Sequence, residues 1–145
     1  MKKILIVDDY LEVRELVEVT LRSGDYHVLQ AENGRKAIEI AKAEKPDLII
    51  MDIMMPGDID GLGATRALKN DPETKGCPII MLTAKGQEDD IKQGLQAGAD
   101  NYFVKPFSPL QLIKKVEEVL RSLSDARYMI LNLRILKPDA GSRYP

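Results

Sequence analysis

Five times along the chain a short apolar run gives way to a segment whose apolar residues recur at helical spacing, and this alternation narrows the fold more than any other feature. The runs occupy residues 3–7 (KILIV), 27–31 (HVLQA), 48–51 (LIIM), 78–82 (PIIML) and 101–104 (NYFV). Runs of this kind suit strands buried on both faces, where no wet side remains to impose alternation. The first intervening segment shows the helical pattern, with Leu11, Val13, Leu16, Val17, Val19, Thr20 and Leu21 set among Glu12, Arg14, Glu15, Glu18 and Arg22. Breakers stand where helices should stop, at Ser23-Gly24, Lys45-Pro46, Asn70-Asp71-Pro72 and Gly98. Asn33-Gly34 opens a second helix with Ala37, Ile38, Ile40 and Ala41 on its inner face. Asp60 is placed to cap a third helix running to about Lys69, the fourth is expected from about Gln87 to Ala97, and Pro109 suits the first position of the last.

Strand and helix in strict alternation, with short links, imply a parallel sheet with helices on both faces and right-handed crossovers. A barrel needs eight such units, so five predict an open, doubly wound α/β sheet of order 2-1-3-4-5. Ligands in such sheets sit beyond the carboxyl ends of the strands, where the strand order reverses, here between the first strand and the third.

Polar residues follow four of the five strands at that edge: Asp8-Asp9 after the first, Asp52 after the third, Thr83 after the fourth and Lys105 after the fifth. The second strand contributes nothing of the kind. Taken singly, an acid after a strand is often a cap and a lone lysine is usually solvated, but their convergence at the expected switch point marks a site. Three carboxylates drawn together repel by several kcal/mol per pair at an effective dielectric near ~20, so either one is protonated or a cation is present. An all-oxygen donor set favours a hard cation, Mg²⁺ before Ca²⁺ or Mn²⁺. With an ammonium and a hydroxyl alongside, these are the parts that stabilise a transferring phosphoryl group, and Asp52 can then serve as nucleophile.

IVDD at residues 6–9, DIMMPG at 52–57, LTA at 82–84 and YFVKPF at 102–107 resemble the signature segments of bacterial response-regulator receiver domains, in order over about residues 3–121. The resemblance implies a flavodoxin-like fold and a phosphorylation switch in two-component signalling. It implies that Asp52 accepts a phosphoryl group from a sensor histidine kinase or a histidine phosphotransfer domain. Asp9, Asp52 and the main-chain carbonyl of Met54 would bind Mg²⁺, with Asp8 reaching it through water. Lys105 would pair with the phosphoryl oxygens, Thr83 would move toward them, and Tyr102 would swing inward behind it. The Lys105-Pro106 bond would be cis. The fourth helix, fifth strand and last helix would present the switched surface to a downstream protein target. Such a domain is a signalling switch rather than an enzyme with an external substrate. Two departures stand out. The loop from Gly57 to Gly61 is one residue longer than usual in the family and adds Asp58, read as a solvent-facing acid; Met54 and Lys85 occupy positions that tune the phosphoryl lifetime. The competing reading is a module that keeps the fold but works without phosphate.

Composition bounds the remaining alternatives. A net charge of −2 argues against direct nucleic-acid or polybasic membrane contact, no apolar stretch approaches a membrane span, and the start lacks a signal peptide, so a cytoplasmic location is expected. One cysteine, Cys77, excludes an internal disulfide and reads as a small buried hydrophobe. His27 lies away from the site, and Gly61-x-Gly63 is a helix start rather than a dinucleotide loop. Residues 1–123 are expected to form the receiver domain and 124–145 a tail, too short for an output domain, so the chain reads as a stand-alone receiver or one truncated from a longer regulator. Leu112, Val116, Val119, Leu123, Ala126, Ile130 and Leu133 recur four and three apart, a seam that would extend the last helix and pair two subunits as a homodimer. Residues 128–131 with Leu133, Ile135 and Leu136 are apolar nearly all round and equally suit a strand or a docked segment.

Overall fold

A computed structural model describes residues 1–84 and 87–136, with side chains as far as residue 122. Strands and helices alternate as β1 (Lys2–Val7), α1 (Leu11–Leu21), β2 (Tyr26–Ala31), α2 (Gly34–Glu44), β3 (Leu48–Asp52), α3 (Gly61–Asn70), β4 (Ile79–Ala84), α4 (Glu88–Gln96), β5 (Asn101–Lys105) and α5 (Pro109–Leu136). The five strands pair in parallel in the order β2-β1-β3-β4-β5, as expected from the alternation.

The absence of alternation in the strand sequences has its cause in the two cores. Ile4 and Ile6 of β1 and Leu48 and Ile50 of β3 face α1 and α5, packing with Val17, Leu21, Leu112 and Val116. Their neighbours Leu5, Val7, Ile49 and Met51 face α2 and α3, against Ala37, Ala41, Ala64 and Leu68. Every residue of β3 is buried, so its apolar run ends in Asp52 without any wet side.

Boundaries shift where the register carries pairing further than apolar character does. β4 reaches Ala84 because Thr83 and Ala84 pair with Val104 and Lys105 of β5, so Thr83 and Lys105 belong to strand ends rather than to the loops after them. Asp60 caps α3 through the Gly63 amide at 2.8 Å, and Asn33 caps α2 through the Lys36 amide at 2.8 Å. The apolar spacing of α1 overstates its inner face: Val17, Thr20 and Leu21 are buried, while Leu11, Leu16 and Val19 are exposed. α5 continues unbroken to Leu136, so the chain is helical that far; the seam side chains from Leu123 onward and residues 137–145 lie outside the described residues. No described helix is long and apolar enough to cross a membrane.

One close approach sets where the third helix begins. A Cβ on Gly61 would lie 2.0 Å from the Asp52 carbonyl oxygen and 2.6 Å from Ile53 Cα, both backbone, and the Gly61 amide donates to the Ile53 carbonyl at 3.0 Å. Gly61→Ala is therefore expected to lower the unfolding free energy by on the order of 3 kcal/mol in a denaturant titration. Gly76→Ala, whose Cβ would meet nothing within 4 Å, should stay within about 0.5 kcal/mol of the parent.

Candidate functional site

The parallel register delivers polar side chains to one edge of the sheet. Asp8 follows β1 directly, Asp52 ends β3 opposite Leu82, and Thr83 and Lys105 lie in the last two residues of β4 and the last of β5. Asp8 is fully buried, Asp52 is 5% exposed and Thr83 is 2% exposed. Asp8, Asp9 and Asp52 each present a carboxylate oxygen within 4.8 Å of the others. Lys105 reaches between them, its Nζ 2.8 Å from Asp8 Oδ2 and 3.3 Å from Asp52 Oδ1. The Lys105-Pro106 peptide is cis, as the resemblance implies.

Asp8 is held at every polar atom. Its amide donates to the Ala31 carbonyl at 3.1 Å, its Oδ1 accepts from the Tyr10 amide at 2.9 Å, its Oδ2 accepts from Lys105, and its carbonyl accepts from Arg14 Nη1 at 2.8 Å. Asp9 differs: its Oδ1 is buried and has no hydrogen-bond partner among the described residues. A buried acceptor without a donor costs roughly 1–3 kcal/mol unless something else satisfies it. Set beside two further carboxylates, that oxygen fits a hard divalent cation held by oxygen donors.

Electrostatics at the cluster oppose full ionisation. Burial, and next the charge of Asp8, push the Asp52 carboxyl up to about 6, against the opposing pull of Lys105. For Lys105, burial works against the charged form, but the hydrogen bond to Asp8 and the charge of Asp52 outweigh it and raise its pKa. The ammonium is thus held in its charged form, shared between Asp8 and Asp52.

Around this centre the other sequence-derived residues fall in different places. Among the described residues, Thr83 Oγ1 makes a long contact, 3.4 Å, to the Ala84 carbonyl. The Tyr102 side chain is 40% exposed and the Met54 side chain 68% exposed, so both are turned toward solvent. Lys85 lies outside the described residues. Asp58, the added residue of the loop, is exposed and pairs with Arg35 at the start of α2. Ile59 beside it packs into the α2–α3 core and against Gly34, where a Cβ would lie 2.6 Å from the Ile59 carbonyl. The longer loop is thereby folded against α2, away from the carboxylates. Cys77 is half-buried, its thiol pushed up to about 12 by burial, consistent with an inert hydrophobe.

The expectation that the second strand contributes nothing to the edge needs correction. Gln30 of β2 accepts a hydrogen bond from Arg14 Nε at 3.1 Å, and Arg14 in turn holds the Asp8 carbonyl. Sequence reading passes over Arg14 because it looks like one more charge on the solvated side of α1. Its only sequence signal is a position six residues after Asp8, within reach of the strand end once the helix folds back.

Comparison with known proteins agrees with this geometry. The family model described as the response regulator receiver domain matches residues 4–117. The chain is 49% identical over 120 residues to the phosphate regulon transcriptional regulatory protein PhoB of Pseudomonas aeruginosa, covering 83% of this chain and 52% of that protein. It is 44% identical over 130 residues to the transcriptional regulatory protein ResD of Bacillus subtilis, covering 90% of this chain and 52% of that protein. The chain thus spans about half the length of the curated relatives it matches. Among solved structures, the chemotaxis response regulator CheY4 of Vibrio cholerae superposes with a TM-score of 0.77 at 35% identity, covering 82% of this chain and 98% of that one. A doubly wound sheet with this acidic edge, matched over most of its length by the family model, belongs to the response-regulator receiver domain family.

Proposed function

We propose that this receiver domain is switched by phosphorylation of Asp52, with the phosphoryl group supplied by a phosphohistidine on a sensor kinase or a histidine phosphotransfer domain. The observation that carries the reading is the arrangement at Asp52: a nearly buried carboxylate beside two others, with one ammonium shared between them and one oxygen of Asp9 unpartnered.

In the transfer, an Asp52 oxygen forms a bond to phosphorus as the P–N bond to the donor imidazole breaks, and the electron pair leaves with the ring nitrogen. Asp52 must be ionised to attack, and its elevated pKa makes that the step for which a cation matters most. Asp9 and Asp52, with the main-chain carbonyl of Met54, would hold Mg²⁺, and Asp8 would reach it through water. When bound, the ion neutralises charge on the phosphoryl oxygens and on the carboxylates together. Lys105 stands ready to pair with a phosphoryl oxygen, because its ammonium already contacts Asp52. Thr83, whose hydroxyl makes a long 3.4 Å contact to the Ala84 carbonyl, would turn toward the new charge.

Phosphorylation adds roughly −1.5 to −2 charge and three acceptor oxygens beside these donors, which favours the arrangement that draws Thr83 and Lys105 inward. Tyr102 would follow, remodelling the face formed by α4, β5 and α5, where Leu95, Tyr102 and Val104 are exposed. The relatives named as transcriptional regulators are about twice as long as the stretch matched, so that face is the one proposed to pass the signal to an output partner.

Incubation with acetyl phosphate and Mg²⁺ should label the parent protein, with no label in EDTA and none on Asp52→Asn by intact-mass spectrometry. Equal labelling of both proteins would remove Asp52 as acceptor.

Stability should report the strained carboxylate directly. A pKa raised from 3.8 to about 6 means that the protonated form stabilises the fold below pH ~4, and that this contribution is lost as pH rises through about 6. In chelator, Asp52→Asn, neutral throughout, should therefore exceed the parent by about 1–3 kcal/mol at pH 7.5, with the gap closing toward pH 4. Saturating Mg²⁺ should stabilise the parent and narrow the gap at pH 7.5. Urea titrations across this pH range measure both effects, and a gap that widens toward low pH would contradict the assignment.

A further inference from the structure

We propose that Arg14 is a positioning residue for the carboxylates at the sheet edge, and that Gln30 of β2 orients Arg14 for this task. The proposal rests on the reading of Asp8, Asp9 and Asp52 as the Mg²⁺ cradle. Its basis is a relay of two hydrogen bonds, Gln30 Oε1 to Arg14 Nε at 3.1 Å and Arg14 Nη1 to the Asp8 carbonyl at 2.8 Å.

The geometry explains why that carbonyl is worth holding. The Asp8 carbonyl and the Asp9 amide belong to one planar peptide unit, so fixing the oxygen fixes the plane from which Asp9 departs. Asp9 is the acid with a buried oxygen, Oδ1, that has no hydrogen-bond partner among the described residues to set its direction. The chain immediately beyond is weakly held: Tyr10 precedes α1 without a side-chain cap, and its amide is tied to Asp8 Oδ1 alone. Arg14 sits one turn into α1, its own amide donating to the Tyr10 carbonyl at 3.2 Å, and spans from the helix back to the strand end. A guanidinium can serve both contacts because its donors form a rigid fork; a lysine ammonium at the same place would reach one partner or the other. The edge strand β2, already paired with β1 through Ile6–Gln30 and Val7–Ala31, thus braces the acidic pair from the side away from Asp52.

Charge and position make opposite predictions, which is what makes the assignment testable. Arg14 is a cation near a cation site, so removing its charge alone would tighten Mg²⁺ binding. Loss of the brace would weaken it, since groups that orient metal ligands typically change affinity by 10–100-fold.

Mg²⁺ alone is titrated calorimetrically into the full chain and its variants at pH 7.5, with folding checked by circular dichroism in EDTA. Arg14→Ala should weaken the Kd by roughly tenfold, Arg14→Lys and Gln30→Ala by less, and Gln30→Ala should add nothing once Arg14 is absent. Affinity unchanged or tighter in folded Arg14→Ala would overturn the proposal, as would a variant that loses stability in EDTA yet binds Mg²⁺ like the parent. Should Arg14→Ala fail to fold, Arg14→Lys and Gln30→Ala decide the matter by the same criterion. A parent chain that binds no Mg²⁺ would overturn the cradle itself, and with it this role for Arg14, whereas parent-like binding in the variants would overturn Arg14 alone.

Discussion

The gathering of three carboxylates within 4.8 Å at the carboxyl edge of a sheet is the interaction on which the rest of the structure depends. Their mutual repulsion opposes folding, and a fold that keeps them together must supply compensation locally. Here the compensation is uneven. Asp8 has a partner for each of its oxygens, Asp52 shares one ammonium, and Asp9 leaves an oxygen with none. The imbalance leaves the three-carboxylate cluster short of positive charge, which is the condition a hard cation fits.

The sheet is the device that holds this arrangement against its own repulsion. β1 and β3 are paired directly and buried on both faces, so neither Asp8 nor Asp52 can retreat without opening a core. At Gly61 the backbone of α3 lies close against the Asp52 carbonyl, so the end of β3 has no room to shift toward α3. The longer loop after Pro56 does not loosen this contact, because Ile59 is packed into the α2–α3 core and Asp58 is paired with Arg35.

Much of this was legible from residue order. Strand-helix alternation specifies the topology, because right-handed crossovers leave few ways to thread five units, and topology alone brings Asp8, Asp52, Thr83 and Lys105 to one edge. Two kinds of information were not local. The length of β4 depended on pairing partners offered by β5, which apolar character does not encode. The role of Arg14 depended on how far a side chain reaches back across a helix terminus, and Val19 and Leu16 misled in the same way, since helical spacing says which residues share a stripe but not whether that stripe is covered. Residues whose part is set by strand order could be placed; residues whose part is set by side-chain reach could not.

Lys105 joins the electrostatic centre to the opposite face of the molecule. Its ammonium is divided between Asp8 at 2.8 Å and Asp52 at 3.3 Å, while its backbone ends β5 in register with Ala84. A strand points alternate residues to opposite faces, so Phe103 and Lys105 are directed one way, Phe103 into the core with Phe107, and Tyr102 and Val104 the other, toward solvent. Any added negative charge on Asp52 changes the balance between the two carboxylates competing for this one ammonium. Under the proposed switch that change would act first on β5, the strand that also carries the exposed Tyr102 and Val104.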